Sequence, residues 1–423
     1  MNRLAVEPGV ENHQARSRTG TLRLTGARVA LDAQTAVRAD VVIKDGRIRE
    51  ILPQPAGHSA RAKREEMTVD LPGYLLLPGL INAHDHLEFN LFPRLGSGPY
   101  ANFRDWAGDI FRPDESPVRE HLGVPKRVRL WWGAIKNLLC GVTTVCHHNP
   151  YDEEVFGGDF PVRVVSRYGW AHSLALEKDI AARFRATPEG APFLIHLAEG
   201  TDQTSAREIF TLHELGALDA RTVIIHAVGL DARGRALVEA RGAGIVWCPS
   251  SNLFTLGKTL SLEELRRHRR VALGSDSALT GAGDLLDEMR LASHTTSVGS
   301  HRLYGMVTEE AARVLQLGDG EGRLEVGSVG DVVAVRDKGG TPADILAASS
   351  VEDVELTIVA GNPQSMSDEY LNRFPSDSWI GFSAMQTGGV KRWVRAPLAR
   401  LFEETSAHLP LPVRLAGRSV MPA

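Results

Sequence analysis

Five residues of this chain close apolar runs and have the chemistry to act together. They are His84 and His86 in "LLLPGLINAHDHLEFN", His196 in "PFLIHLAEG", His226 in "RTVIIHAVG" and Asp276 in "VALGSDS". On a strand, residues i and i+2 share a face, so His84 and His86 project together while Asp85 points away. Two neutral imidazoles side by side are borderline ligands suited to zinc or iron, and a catalytic site needs further protein ligands and an open position. The His84–His86 spacing alone reads equally well as a pair of structural histidines, and His196, His226 and Asp276, taken singly, read better as hydrogen-bonded structural groups. A series of strand endings with the same polarity favours one shared site.

The elements that would carry them can be read from texture. "TLRLTGARVAL", "ADVVIKDGRIREIL" and "MTVDLPGYLLLPG" are short strands separated by Gly and Asp-Gly turns, and "GRLEVGSVGDVVAVRD" and "VEDVELTIVAGN" repeat that texture late in the chain. Between them, apolar runs alternate with helical patterns such as "KRVRLWWGAIKNLLC" and "DARGRALVEARG". Asp231 is a predicted N-cap, and Ser261 with Glu264 a predicted capping box. Strand–helix alternation implies a parallel sheet with enough units for a closed (β/α) barrel, whose active site lies at the C-terminal ends of the strands. The division expected is a polar leader over 1–20, a small composite β domain from 21–76 and 322–363, a barrel over 77–321 and a C-terminal extension over 364–423. A helix is expected within "VKRWVRAPLARLFEET", without a basis for saying what it covers. Only 48 residues lead from His148 to His196, so one strand–helix unit there is expected to be shortened.

Composition excludes several function classes. The chain has 423 residues, 43% hydrophobic and 24% charged, with a formal net charge of −4. That balance offers no basic field for a polyanion, so no nucleic-acid partner is expected. Three cysteines, Cys140, Cys146 and Cys248, form no CxxC pair and no even-numbered framework, which fits a reducing compartment. The opening residues lack a signal-peptide apolar core, and no run of about eighteen apolar residues occurs. A cytoplasmic protein with no membrane partner is expected.

The blocks "PGLINAHDH", "GVTTV", "HLAEG", "IIHAVGL", "CPSSN", "GSDS" and "GRLEVGSVGDVVAV", in this order, resemble the metal-dependent amidohydrolase superfamily. The resemblance covers roughly residues 20–363 and points to the branch containing cytosine, guanine and adenosylhomocysteine deaminases and triazine hydrolases. It implies an α/β fold, a (β/α)8 TIM barrel with a small β-sandwich domain built from both ends of the chain. It implies one divalent metal ion, zinc ahead of iron, on His84, His86, His196 and Asp276. His226 matches a histidine facing the activated water or substrate, Glu199 the acid/base that serves the leaving nitrogen, and Asn252 a position near the substrate pocket. Asp276 would also orient the nucleophile and take its proton. From their places after the second and first strands, His148 and Trp106 are candidates to line the substrate pocket, against the alternative of structural packing.

Within this resemblance, the two-metal arrangement needs a bridging lysine at the end of the fourth strand. Lys178 is the one lysine nearby and reads as solvated, so one metal is favoured. The reaction implied is hydrolysis of a non-peptide C–N bond, deaminating a small nitrogen heterocycle through a metal-activated water. The alternatives are an amidohydrolase or dehalogenase-type enzyme acting on a cyclic amide, a dipeptide-like amide or a triazine, and a non-catalytic binding protein on the same scaffold. A small-molecule substrate is expected, and a homo-oligomer stays open.

Overall fold

A computed structural model describes residues 20–54, 66–371, 373 and 380–423. Apart from Gly20, the polar leader expected over 1–20 lies outside the described residues. Leu80–Asp85 (β1), Val142–His147 (β2) and Arg163–Val164 (β3) form one parallel sheet. Gly169–Ser173 (β4), Phe193–Leu197 (β5), Thr222–His226 (β6), Gly244–Trp247 (β7) and Val271–Leu273 (β8) form a second. β1, β2 and β5 to β8 are buried along their whole length, as strands are when both faces of a parallel sheet are covered. β3 keeps two residues, and the connection before it holds one helical turn, Glu153–Phe156. The shortening expected between His148 and His196 falls there.

The helices between strands begin and end where local chemistry dictates. Lys126–Leu139 (α1) presents Val128, Trp132, Ile135 and Leu139 to the core. Gln203–Glu214 (α2) is capped by Asp202, whose carboxylate accepts the Ser205 N–H, and Ala232–Arg241 (α3) is capped by Asp231 and closed by left-handed Gly242. Pro249–Leu256 (α4) carries proline at its start, where a missing N–H costs nothing. Ser261 and Glu264 form a capping box on Leu262–Arg267, and Asp284 caps Leu285–Thr296 (α5).

The two parallel sheets meet where β8 runs out beside β1. The Asp276 N–H donates to the His84 carbonyl at 3.1 Å, and the Ser275 N–H donates to Asn82 Oδ1 at 3.1 Å. Gly274 permits the approach, since a Cβ there would lie 2.8 Å from His84 Cβ. One buried apolar cluster takes Ile81, Cys146, Leu194, Ile225, Val246 and Ala272 from strands of both sheets.

The flanking segments build one large mixed sheet. Tyr74–Pro78 pairs antiparallel with Val332–Arg336, which pairs with Val354–Val359, so the two ends of the chain meet edge to edge. The sheet continues through Asn362–Ser367, Val390–Arg395, Phe382–Thr387 and Arg418–Pro422. The segment after 364, set apart in the sequence reading as an extension, therefore supplies strands to the sheet that precedes it. The helix expected in that region is Leu398–Ser406, preceded by the strand Val390–Arg395. It lies on α1, with the Phe402 ring edge-on to Trp132 at 5.0 Å and the Trp132 indole N–H donating to Thr405 Oγ1 at 2.8 Å. Among the described residues no helix is long and apolar enough to cross a membrane.

Trp132 is fully buried between α1 and this helix. Trp132→Ala should cost about 3–5 kcal/mol of unfolding free energy, measured by urea denaturation. A loss below about 1 kcal/mol would show that the C-terminal helix is not tied to the core through this side chain.

Candidate active site

The strand-end residues converge on one point. His86 Nε2 lies 3.4 Å from His196 Nε2. Asp276 Oδ1 lies 3.6 Å from His84 Nε2 and 3.9 Å from His86 Nε2, and its Oδ2 lies 3.8 Å from His226 Nε2. His226 Nε2 is in turn 3.6 Å from Glu199 Oε1. None of these six residues is more than 8% exposed.

Local backbone aims them. The pairing of β1 with β2 is irregular between Asn82 and Asp85, which sets the direction of the His84–His86 stretch. Ala198, His226 and Asp276 have φ of 53°, 73° and 54°, in the left-handed region uncommon for residues with a Cβ. Such positions cost on the order of 1–3 kcal/mol each and persist where surroundings over-determine them. Here the Ala198 N–H donates to Glu208 Oε2 at 2.7 Å, the Ala227 N–H to the Leu197 carbonyl at 3.2 Å, and the Asp276 N–H to the His84 carbonyl.

Burial sets the charge states. It pushes His84 below the usual imidazole range and pushes His86 and His196 well below it, with neighbouring imidazoles adding to the effect at the latter two. Burial thus favours the uncharged form of these rings. Burial would raise the Asp276 carboxyl, yet the pull of His84, then of His226 and His86, holds it well below the usual carboxylate range. Burial pushes Glu199 up to about 7, against the opposing pull of His226 and with help from Asp276 and Glu208. The site thus pairs an ionised carboxylate with one poised to exchange a proton near neutrality.

The donor set fits a divalent cation. His196 Nδ1 faces the His172 carbonyl at 2.9 Å, and His226 Nδ1 faces Asn252 Oδ1 at 2.8 Å. Each contact needs the proton on Nδ1, which leaves Nε2 as a lone pair directed into the cluster. His84 Nε2 is buried with no hydrogen-bond partner. Buried lone pairs and a carboxylate facing one another are satisfied by a cation at their centre. Among the described residues, His84, His196 and His226, and likewise His84, His86 and Asp276, bring ligand atoms within 4.8 Å of one another.

The motif "CPSSN" turns out to be a row of supports. Ser251 Oγ donates to Asp276 Oδ2 at 2.7 Å and meets Thr280 Oγ1 at 2.9 Å, while Asn252 sets the His226 tautomer. Ser250 accepts the Ala282 N–H on its hydroxyl and donates its own N–H to Glu288 Oε2 at 3.0 Å, and its hydroxyl also meets Glu288 Oε1. Asn252, expected near the substrate pocket, holds the ring of His226. Consecutive hydroxyls before Asn252, at the first turn of a helix, were the available signal for Ser250 and Ser251. Glu288 and Thr280 left none.

The remaining candidates have definite places. His148 is fully buried, stacks on His196 with ring centroids 4.2 Å apart, and directs Nε2 to the Ala171 carbonyl at 3.0 Å. Trp106 is half-buried and donates its indole N–H to the Leu95 carbonyl at 2.9 Å, so its polar edge is used within the loop after β1. Lys178 is exposed in the bend after β4, while His172 occupies the strand itself and stacks on His196 at 4.7 Å.

Comparison with known proteins bears on this geometry. The model of the Amidohydrolase family matches residues 171–363. The chain is 26% identical over 371 residues to a protein of Pyrococcus furiosus named 5-methylthioadenosine/S-adenosylhomocysteine deaminase, covering 72% of this chain and 83% of the relative. To the protein of that name from Thermococcus sibiricus it is 25% identical over 402 residues, covering 78% and 90%. The chain fits the amidohydrolase superfamily. Among solved structures, the chain resembles an adenosine deaminase from Xanthomonas campestris with bound zinc, at a TM-score of 0.65 and 19% identity over 81% of this chain and 92% of that one. It also resembles atrazine chlorohydrolase from Arthrobacter aurescens complexed with zinc, at a TM-score of 0.67 and 18% identity over 92% and 100%. The structural likenesses carry the fold. The family and the names of the relatives support an amidohydrolase acting on non-peptide C–N bonds.

The Glu288 carboxyl beneath Ser250 is pushed by burial up to about 8, against hydrogen bonds from Ser250 that lower it. The folded chain therefore holds a proton there that the unfolded chain releases above its ordinary value of 4.5. The stability from this group is complete below the unfolded value and is lost as pH rises through the folded one. Melting temperature of the wild type should fall relative to Glu288→Gln between about pH 5 and about pH 8. Parallel melting curves across that window would mean that Glu288 is ionised in the native fold.

Proposed function

We propose that the protein deaminates a small nitrogen heterocycle by hydrolysis, with an adenine-type nucleoside as the leading substrate class. The observation that carries this reading is the place of Glu199. Its buried carboxyl, near neutrality in proton affinity, lies within reach of His226 beside the four residues that would hold one metal ion, His84, His86, His196 and Asp276. The names of the relatives, deaminases of adenine-type nucleosides, support the substrate class. Zinc is the metal we infer, from this nitrogen-rich donor set and from the zinc in both structural neighbours.

A divalent cation bound there supplies Lewis acidity, lowering the pKa of a ligated water from about 15.7 towards about 7. Asp276, ionised and gripped by Ser251, takes the proton of the attacking water and keeps the oxygen aimed at the carbon bearing the amino group. Glu199 delivers a proton to the departing nitrogen, so water and amine become carbonyl and ammonia. His226, with Nδ1 tied to Asn252, keeps Nε2 at the centre of the site for contact with the developing oxygen. His148 and Trp106 stay as proposed pocket residues.

We read the eight parallel strands as a closed (β/α)8 barrel over residues 77–321, because hydrogen bonds join the end of β8 to β1 and because one apolar cluster takes residues from both sheets. The mixed sheet from the chain ends would form the small second domain. A cytoplasmic location and a small-molecule partner accord with this reading.

Purified protein should contain about one equivalent of zinc by elemental analysis, and chelation should abolish ammonia release from aminopurine nucleosides. Activity indifferent to chelation would sink the proposal. On a panel that includes aminopyrimidines and a chlorotriazine, chloride release without ammonia would replace deamination with dehalogenation on the same scaffold. Glu199→Gln should lower kcat by roughly 10²-fold or more with metal content retained. Turnover within a few-fold of wild type would remove the proton-shuttle role.

A further inference from the structure

The mechanism leaves unused a buried charge directly behind the site. Lys136, on α1, is 3% exposed, and its Nζ lies 2.8 Å from Asp85 Oδ2, where Asp85 is wholly buried. The same Nζ donates to Ser275 Oγ at 3.0 Å. Asp85 separates His84 from His86, and Ser275 immediately precedes Asp276. One ammonium therefore touches side chains from two of the three stretches that present the proposed metal ligands, one at the end of β1 and one beyond β8.

Amide groups surround the pair. The Asn137 amide donates to Asp85 Oδ2 at 2.8 Å and the Asn90 amide to Asp85 Oδ1 at 2.8 Å. The Asn82 amide donates to Asn137 Oδ1 and to Ser275 Oγ, each at 2.8 Å, while Asn82 Oδ1 accepts the Ser275 N–H. Every polar partner in this set is neutral except Asp85 and Lys136. A buried ion pair is weak evidence for stability, because apolar replacements of similar volume do as well, and its better-attested use is to specify one arrangement. Groups behind metal ligands orient them, and their loss typically weakens metal binding about 10–100-fold.

We propose that Lys136 is a positioning residue for the metal centre: its ammonium, held by Asp85 and Ser275, sets the separation of the β1 and β8 ends so that His84, His86 and Asp276 converge. The inference rests on the metal reading given above. It differs from a plain stability role in one respect, since discharging both partners together restores stability without restoring the fixed separation.

The test uses the full chain stripped of metal and titrated with Co2+ against a competing chelator, with the Co2+ visible absorption spectrum and the melting temperature of the metal-free protein recorded. Lys136→Met should lower both melting temperature and Co2+ affinity, because it strands the Asp85 charge. The double variant Lys136→Met with Asp85→Asn should regain most of the melting temperature, yet bind Co2+ about tenfold or more weakly with an altered spectrum. A double variant with wild-type affinity and spectrum would overturn the proposal and leave the pair a stability element. Ser275→Ala, which strands no charge, gives the same reading if the double variant does not fold: weaker Co2+ binding supports the proposal, and unchanged binding overturns it. Wild-type protein that takes up no Co2+ at all would overturn the metal reading itself.

Discussion

The arrangement of this molecule turns on a concentration of unpaired electron pairs in a dry place. His84, His86, His196 and His226 bring ring nitrogens to one point with the Asp276 carboxylate among them, all buried. Burial disfavours the charged form of His84, His86 and His196, which leaves ring lone pairs crowded beside the Asp276 carboxylate. Such a set is costly unless something cationic lies at its centre. The strained φ values at Ala198, His226 and Asp276, the glycine at 274 and the hydrogen-bonded network behind β1 are consequences of holding those lone pairs together.

Around that centre the chain divides its work by the two faces of a strand. His84 and His86 face the cluster, while Asp85 between them faces α1 and meets Lys136. On β2 the final residue, His147, lies 3.6 Å from Glu88, away from the cluster, while His148 just beyond it stacks on His196. At "CPSSN", three consecutive side chains reach three different targets, Glu288, Asp276 and His226, because they occupy the first turn of a helix, where each successive residue is rotated by about 100°. Two carboxylates a short distance apart thereby acquire opposite properties. At Asp276 the surrounding imidazoles together outweigh burial, whereas at Glu199 burial prevails.

How much of this was readable depended on whether the signal was local. The His-x-His pair, the strand-ending histidines and the aspartate of "GSDS" each carry a local pattern, an apolar run that stops abruptly at a polar group. The caps at Asp231 and Ser261 are equally local, since a cap is written within four residues. The hairpins after residue 380 also left local marks in "TGGV" and "LAGR", with positive φ at Gly388, Gly389, Ala416 and Gly417, but the region was read for a helix alone. Lys136 and Glu288 left no mark. Each lies in an ordinary helical pattern, and nothing within a few residues distinguishes it from a solvated charge.

By itself, then, the sequence determined which residues close the strands, which turns and caps delimit the elements, and that the ends of the chain are β-rich, because backbone periodicity and capping act over a handful of neighbours. Only the tertiary structure decided that Lys136 meets Asp85 and, across 139 positions of chain, Ser275, that the strands after 364 extend the sheet begun at Thr21, and that Asn252 serves His226. Those outcomes depend on burial, and burial is created by the packing of distant segments. Until the core closes, a lysine on a helix is a soluble surface charge; once it closes, the same ammonium must find its carboxylate or destabilise the fold.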